Sequence, residues 1–394
     1  MTILTKHLKI YVVYVIIQSI SVKFIMSIGN KENGFKIKKT GEGGISYVYQ
    51  ISEDTVAKLT PISEKPLKGL YNKNQLDLAV NGEDLIINNS YRYSANKREL
   101  FFLCSSMREL LVLKEINQQG VKNITPVKDF YFASIKGYLH TVLEIGYAPG
   151  DLVTRLVREK NNLADVSKIV SDIAETLLQI SELGIIHRDI KPSNIKYEMD
   201  GSLGAGKSTL IDFGLVSRVT PWPDYFDSDL ISLLENKAYS KSTGGTFLYF
   251  SPEYTKNMEP SLMMDCFSLG LTAYQLLVGN HAPISPDYPI SIASLDYATF
   301  GQSFHLPRLK EYNNFQRDIL IGILYNHGCP KDLAEAVGIC LDQVPERRSL
   351  IPLKKAAEKI SRLEVPISCM ERYNRDSPSP RILHDGDSSD ISDI

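Results

Sequence analysis

The stretch His187-Arg188-Asp189-Ile190-Lys191-Pro192-Ser193-Asn194, followed by Ile211-Asp212-Phe213-Gly214, decides how this chain is read. Phosphoryl transfer needs a carboxylate to orient an attacking hydroxyl and take its proton. It also needs oxygen ligands for a hard cation and positive charge on the moving group. Asp189 can be that carboxylate. Asn194 and Asp212 offer the oxygens that magnesium prefers. Lys191 can neutralise charge developing on the phosphate. A chance polar loop explains any one of these residues but not all four in this order.

Upstream the pattern is β-like. Phe35-Lys36-Ile37 leads into a glycine-rich turn at Gly41–Gly44. Tyr47-Val48-Tyr49 and Val56-Ala57-Lys58-Leu59 read as strands joined by the polar turn Ser52-Glu53-Asp54. Residues 60–96 are rich in Asn, Lys and Tyr and read as an insertion, extended to about 105 in the division below. Arg108 to Ile116 has helical spacing, with Leu110, Leu111, Leu113 and Ile116 apolar and Gly120 as a stop. Strands follow near Ile124–Phe130 and at Leu139–Ile145, then a connector, Tyr147-Ala148-Pro149-Gly150.

Downstream the pattern turns helical. Asp165 can cap a helix whose apolar positions Val166, Ile169, Val170, Ile173, Leu177 and Ile180 repeat near 3.6, with Gly184 at its end. Asp265 to Val278 is apolar on nearly all sides, which suits the centre of a lobe. A β-rich part before a helix-rich part implies an α+β, two-lobed chain.

With these residues quoted, the chain from about Phe35 to about Ile360 resembles the eukaryotic-type protein kinase family. The resemblance implies a bilobal kinase fold that binds ATP and Mg²⁺ in its cleft and phosphorylates protein serine or threonine. Gly41-Glu42-Gly43-Gly44-Ile45-Ser46-Tyr47-Val48 resembles the glycine-rich loop over the phosphates, with Ser46 where the family has its third glycine. Val56-Ala57-Lys58 resembles the nucleotide-binding lysine strand. Glu109 resembles the helix glutamate that pairs with that lysine, and Glu99 is its competitor. Val142-Leu143-Glu144-Ile145-Gly146 resembles the hinge, which implies adenine contacts near Glu144 and Gly146 and a back pocket guarded by Leu143. The nucleotide-site set is therefore Gly41, Glu42, Gly43, Gly44, Val48, Ala57, Lys58, Glu109, Leu143, Glu144, Gly146, Asn194 and Asp212. Asn194 and Asp212 are the metal ligands, and Asp189 and Lys191 are the catalytic pair.

Gly245-Thr246-Phe247-Leu248-Tyr249-Phe250-Ser251-Pro252-Glu253 resembles the end of a kinase activation segment, with Ser251 replacing alanine. The resemblance pairs Glu253 with Arg348 and sets Asp265 behind the catalytic loop. Phe267 stands where the family more often has tryptophan. Lys191 with Thr246 resembles the serine/threonine branch. Arg188 implies control by phosphorylation at Ser240, Ser242 or Thr243.

Gly201-Ser202-Leu203-Gly204-Ala205-Gly206-Lys207-Ser208 fits the Walker A pattern. That pattern needs a strand before it and a helix after it. Here Thr209-Leu210-Ile211 reads as a strand, so a turn is the better reading. The formal net charge of −2 excludes an electrostatic footprint for nucleic acid. The five cysteines are scattered and odd in number, which favours buried thiols in a reducing cytoplasmic compartment.

The expected division is a leader at 1–30, an N-lobe at 31–145, a C-lobe at 146–365 and an acidic Ser/Pro tail at 366–394. For the apolar leader a packed or peripheral segment ranks first, an extension upstream of a true start at Met26 second, and a membrane anchor third. The tail cannot bury enough surface to fold alone.

Overall fold

Period-two burial marks the first strands. In β2 (Tyr47–Gln50), Tyr47 and Tyr49 are buried while Val48 and Gln50 are only half so. With β1 (Lys38–Glu42) and β3 (Thr55–Pro61) this strand forms an antiparallel meander. The structure is a computed structural model. It describes residues 38–42, 46–70, 73–81, 84–88, 90–158, 162–202, 204–224, 231, 234–235, 246, 249–257, 260–279, 283–285, 288–291 and 313–362. The expectations for the leader, for Phe35–Ile37, for Gly43 and Gly44, for Ser240, Ser242 and Thr243, and for the tail lie outside the described residues.

The segment expected as an insertion builds structure of its own. β4 (Lys73–Leu76) adds to the main sheet beside a later strand. β5 (Leu78–Asn81), β6 (Asp84–Ile87) and β7 (Tyr91–Ser94) form a separate antiparallel sheet. Leu85 and Ile87 of that sheet pack with Leu100, Leu103 and Cys104 of α1 (Lys97–Gln118) in one apolar cluster.

Apolar spacing starts the helix at Arg108 and carries the insertion to about 105. The helix begins instead at Lys97, because Asn96 and Glu99 form a capping box. The Glu99 carboxylate also accepts from Glu64 N at 2.6 Å and Tyr93 Oη at 2.5 Å. β8 (Val127–Ile135) and β9 (Tyr138–Gly146) complete a six-stranded sheet of order β1-β2-β3-β9-β8-β4.

Helices dominate the rest. β10 (Asp151–Leu152) and α2 (Val153–Arg158) lead to α3 (Leu163–Glu182). The cap of α3 is Asn162 and not Asp165. Asp165 instead accepts from Tyr197 Oη at 2.7 Å and Gly204 N at 2.9 Å, so its carboxylate is taken by the chain packed alongside. Gly184 ends α3 with φ +72°, and a Cβ there would lie 2.4 Å from Thr220.

β11 (Ile185–Ile186), the loop 187–194, β12 (Ile195–Glu198), β13 (Lys207–Leu210) and β14 (Ser217–Arg218) follow. β12 pairs antiparallel with β13, so the Walker-like segment is the turn between two strands, and a strand leaves it where a phosphate loop needs a helix.

After α4 (Pro252–Asn257) comes α5 (Leu262–Val278), buried on nearly every side. A Cβ on its Gly270 would sit 2.9 Å from Cys340 Cβ, so the glycine permits close approach of a later helix. α6 (Asn314–Asn326), α7 (Lys331–Cys340) and α8 (Leu350–Ser361) pack with α3 and α5 into the largest apolar cluster. The result is a β-rich lobe joined to a helical lobe, the α+β two-lobed architecture expected. Among the described residues no helix is long and apolar enough to cross a membrane.

Candidate active site

Strand register decides which side chains surround Lys58. Cross-strand partners share a face of the sheet, and neighbours along a strand point to opposite faces. Lys58 lies opposite Val48 and Leu143, and Val56 lies opposite Ile145. Ala57 lies opposite Tyr49 and Glu144. Ala57 packs with Tyr47, Tyr49, Leu59 and Val142 on the other face, where Glu144 accepts from Tyr131 Oη at 3.1 Å.

The side chains of Ala57 and Glu144 lie on the face opposite Lys58, and those of Val56 and Ile145 share the Lys58 face. The adenine contact expected near Glu144 is one of backbone groups, which side-chain direction leaves open. The alternation is legible in the sequence, since a residue adjacent to Lys58 in a strand must point the other way. The backbone here is also engaged: β9 pairs on both sides, Gly146 N donates to Pro126 O at 2.8 Å, and Tyr147 N donates to Asp54 O at 2.8 Å. A Cβ on Gly146 would lie 2.7 Å from Pro126.

Lys58 gathers two carboxylates from distant parts of the chain. Its Nζ lies 2.8 and 2.9 Å from the Glu109 oxygens and 2.6 Å from Asp212 Oδ1. Burial alone would lower the ammonium, but Asp212 and Glu109 outweigh it and hold Lys58 above the ordinary lysine range. Lys58 in turn draws Asp212 down to about 2. Burial raises Glu109, against the pull of Lys58. Asp212 has φ +65°, the left-handed region that aspartate tolerates better than most residues.

Two further ties bind α1 to the chain after Asp212. Ser105 Oγ donates to Gly214 O at 2.5 Å, and Arg218 of β14 pairs with buried Glu115. Motif reasoning misses both. Ser105 lies one helical turn before Glu109 on the same face, a signal that spacing alone supplies.

The loop 187–194 forms a second cluster. Asp189 is buried, with Oδ2 2.8 Å from Lys191 Nζ and 2.8 Å from Asn194 Nδ2. Asn194 Nδ2 also donates to Asp189 O at 2.8 Å. Thr246 donates to Asp189 Oδ1 through its N at 3.1 Å and its Oγ1 at 2.9 Å, and Lys191 Nζ donates to Thr246 Oγ1 at 2.6 Å.

Arg188 has φ +70°, a costly backbone for a bulky residue that its surroundings must hold. Buried Asp265 holds it by accepting from His187 N at 2.6 Å and Arg188 N at 2.9 Å. Burial pushes the Asp265 carboxyl up to about 6, against those two hydrogen bonds. The Arg188 guanidinium donates to Tyr254 Oη at 2.7 Å. Arg348 meets Glu253 with two bonds of 2.7 and 2.8 Å.

Ile211 N donates to Asn194 O at 2.9 Å, which sets Asp212 beside the loop 187–194. Buried His187 contacts Phe213 edge-on at 4.7 Å. The two clusters therefore share one seam. Asn194 spends its amide nitrogen on Asp189, which leaves Oδ1 for a ligand, and the Asp212 side chain is 42% exposed. Two oxygen donors on adjacent segments suit magnesium held jointly with substrate phosphates. Gly41 and Glu42 lie in β1 opposite Val48 and Tyr47. Ser46 is buried, its Oγ 2.7 Å from Thr60 Oγ1.

Comparison with known proteins bears on the same region. A family model for the protein kinase domain matches residues 88–352. A serine/threonine-protein kinase of Streptomyces coelicolor, PkaB, is 31% identical over 135 residues, covering 33% of this chain and 29% of that protein. Eukaryotic translation initiation factor 2-alpha kinase 3 of Bos taurus is 39% identical over 111 residues, covering 28% of this chain and 9% of that protein. The Rattus norvegicus protein of that name matches to the same extent. The chain thus spans less than a third of the length of these curated relatives. The family match begins after Lys58, so the place of that lysine rests on the geometry above.

Proposed function

This chain belongs to the protein kinase family, and from that premise we propose that it transfers the γ-phosphate of ATP to serine or threonine hydroxyls of proteins. One observation carries the reading. Lys58, Glu109 and Asp212 converge from 51 and 154 residues apart, beside a loop that presents Asp189, Lys191 and Asn194.

In this proposal Lys58 steadies the nucleotide phosphates, with Glu109 fixing its ammonium. Asn194 and Asp212 would hold Mg²⁺, which when bound supplies charge neutralisation at the phosphate oxygens. Asp189 orients the acceptor hydroxyl and takes its proton. Lys191, 2.8 Å from Asp189, places positive charge beside the transferring group. The Lys191–Thr246 bond of 2.6 Å supports the serine/threonine reading, because it ties the loop to the segment on which a protein acceptor would lie.

Phosphorylation of the activation segment belongs to the same reading. Burial lowers the pKa of Arg108, and the nearby charge of Arg188 lowers it further. Two buried guanidinium groups that repel each other would welcome an anion. The acceptors proposed are Ser240, Ser242 and Thr243, and full activity of the triple alanine variant would refute this part.

The main test incubates the chain with labelled Mg-ATP and a serine/threonine peptide library. Asp189→Asn should lower transfer by roughly 10²- to 10⁴-fold while nucleotide still binds. Undiminished transfer by that variant, or labelling confined to tyrosine, would overturn the proposal.

A further inference from the structure

A half-buried cation sits where the two lobes meet, and the reaction above does not use it. Lys196 lies on β12, two residues after Asn194. Its neighbours Ile195 and Tyr197 are buried in the core of the helical lobe, so alternation puts Lys196 on the reverse side of the strand. There its Nζ donates to the carbonyl of Ala148 at 2.5 Å, and the ammonium lies 4.7 Å from the centre of the Tyr147 ring.

Ala148 belongs to the connector that leaves β9 after Gly146, on the strand whose Leu143 lies opposite Lys58. The Lys196–Ala148 bond therefore joins the segment that follows Leu143 and Ile145 to the segment that follows Asp189 and Asn194.

The cost of placing a lysine here points to a use. Lys196 is half-buried, so its ammonium gives up part of its water. An apolar residue would fill the strand position without desolvating a charge. What the lysine adds is a charge-assisted bond to a connector carbonyl and four methylenes laid along the seam.

We propose that Lys196 is a positioning residue for the nucleotide: it latches the connector at Ala148 and so sets nucleotide affinity, leaving turnover unchanged. The inference rests on the reading of this seam as a nucleotide cleft. A connector held in one place presents its amides to a base already oriented, which improves binding by removing the cost of ordering it.

The test measures displacement of a fluorescent ATP analogue by ATP, together with KM and kcat for peptide phosphorylation, in the full chain. Lys196→Met should raise the ATP dissociation constant and KM by roughly tenfold, the loss typical of one charge-assisted hydrogen bond. Its kcat should stay within about twofold, and Lys196→Arg should recover most of the affinity. Lys196→Gln serves as a second variant, with melting temperature measured without nucleotide as the folding control.

Unchanged affinity in Lys196→Met overturns the proposal, as does a fall in kcat at constant KM. Failure of both neutral variants to fold would make the residue structural and overturn it as well. If the wild-type chain binds nucleotide but transfers nothing, the kinase reading fails while the displacement series still judges Lys196. If the wild type binds no nucleotide, both fail.

Discussion

Two clusters of carboxylate and cation tie distant segments of this chain together, and they differ in what they leave open. At the cleft, one ammonium on Lys58 is shared between Glu109 and Asp212, and the Asp212 side chain is 42% exposed. Behind it, Arg348 has 0% side-chain exposure. Arg348 meets both oxygens of Glu253, donates to Asp342 O at 2.8 Å and Met263 O at 3.2 Å, and lies 5.0 Å from the centre of the Phe267 ring. The Arg348 cluster is neutral as a pair and closed. The Lys58 cluster has an extra carboxylate, and its exposed edge can take a further cation. Surplus charge beside solvent marks the site, whereas matched charge sealed from solvent marks the brace.

The sharpest way to break this contrast is at Lys58. Lys58→Met should lower kcat/KM for peptide phosphorylation by roughly 10³-fold, the upper range for losing one electrostatic stabiliser. The melt should fall as well, because buried Glu109 loses its cation, so turnover per folded molecule is the readout that separates site from brace. Arg348→Met should cost stability alone. It strands a partly buried carboxylate and should cost about 3 kcal/mol in urea unfolding, with turnover per folded molecule retained at low temperature. Wild-type stability in Arg348→Met would erase the distinction between brace and site.

Asp265 sharpens the contrast, because it is a buried carboxylate to which no cation is bonded among the described residues. Its carboxyl is held at about 6 against 3.8 in the unfolded chain. Between roughly pH 4 and pH 6 the folded state therefore carries a proton that the unfolded state lacks, and stability falls as pH rises through that window. Relative to Asp265→Asn, the wild type should lose on the order of 2 kcal/mol across it and nothing further above pH 7. Urea midpoints taken along the pH range check the sign, and a wild type that gains stability relative to Asp265→Asn with rising pH would contradict it.

The smallest effect is expected at Glu99, ten residues before Glu109 on the same helix. Glu99 serves the helix cap and the insertion, so Glu99→Gln should cost about 1 kcal/mol of stability. Peptide phosphorylation at saturating ATP should be unchanged, and a large fall in it would give Glu99 a part in the site.

Much of the site is legible in the residues themselves. The loop 187–194 is, because Asp189, Lys191 and Asn194 lie within one short segment and their spacing alone brings them together. The ends of α3 and α5 are legible at Gly184 and Gly279, since only glycine adopts the required positive φ at little cost. The cap at Asn96 is written as Asn-x-x-Glu, yet apolar spacing by itself begins α1 too late, at Arg108. The choice of Glu109 over Glu99 rests in the sequence on order along the chain. The structure supplies the physical difference, with one carboxylate bonded to Lys58 and the other spent on Asn96, Glu64 and Tyr93. The hinge expectation falls on β9, and the register shows that the side chains of Ala57 and Glu144 lie on the face opposite Lys58.

The sequence alone determined the order of elements, the two-lobed division and the chemistry of the loop, because periodicity, capping and short spacing act over a few residues. Only the tertiary structure decided which face of β9 looks toward Lys58, that residues 73–94 fold into strands against α1, and that Lys196 reaches Ala148. Those outcomes depend on register between segments far apart in sequence. Such register is set by burying apolar faces against each other, and no local pattern contains it.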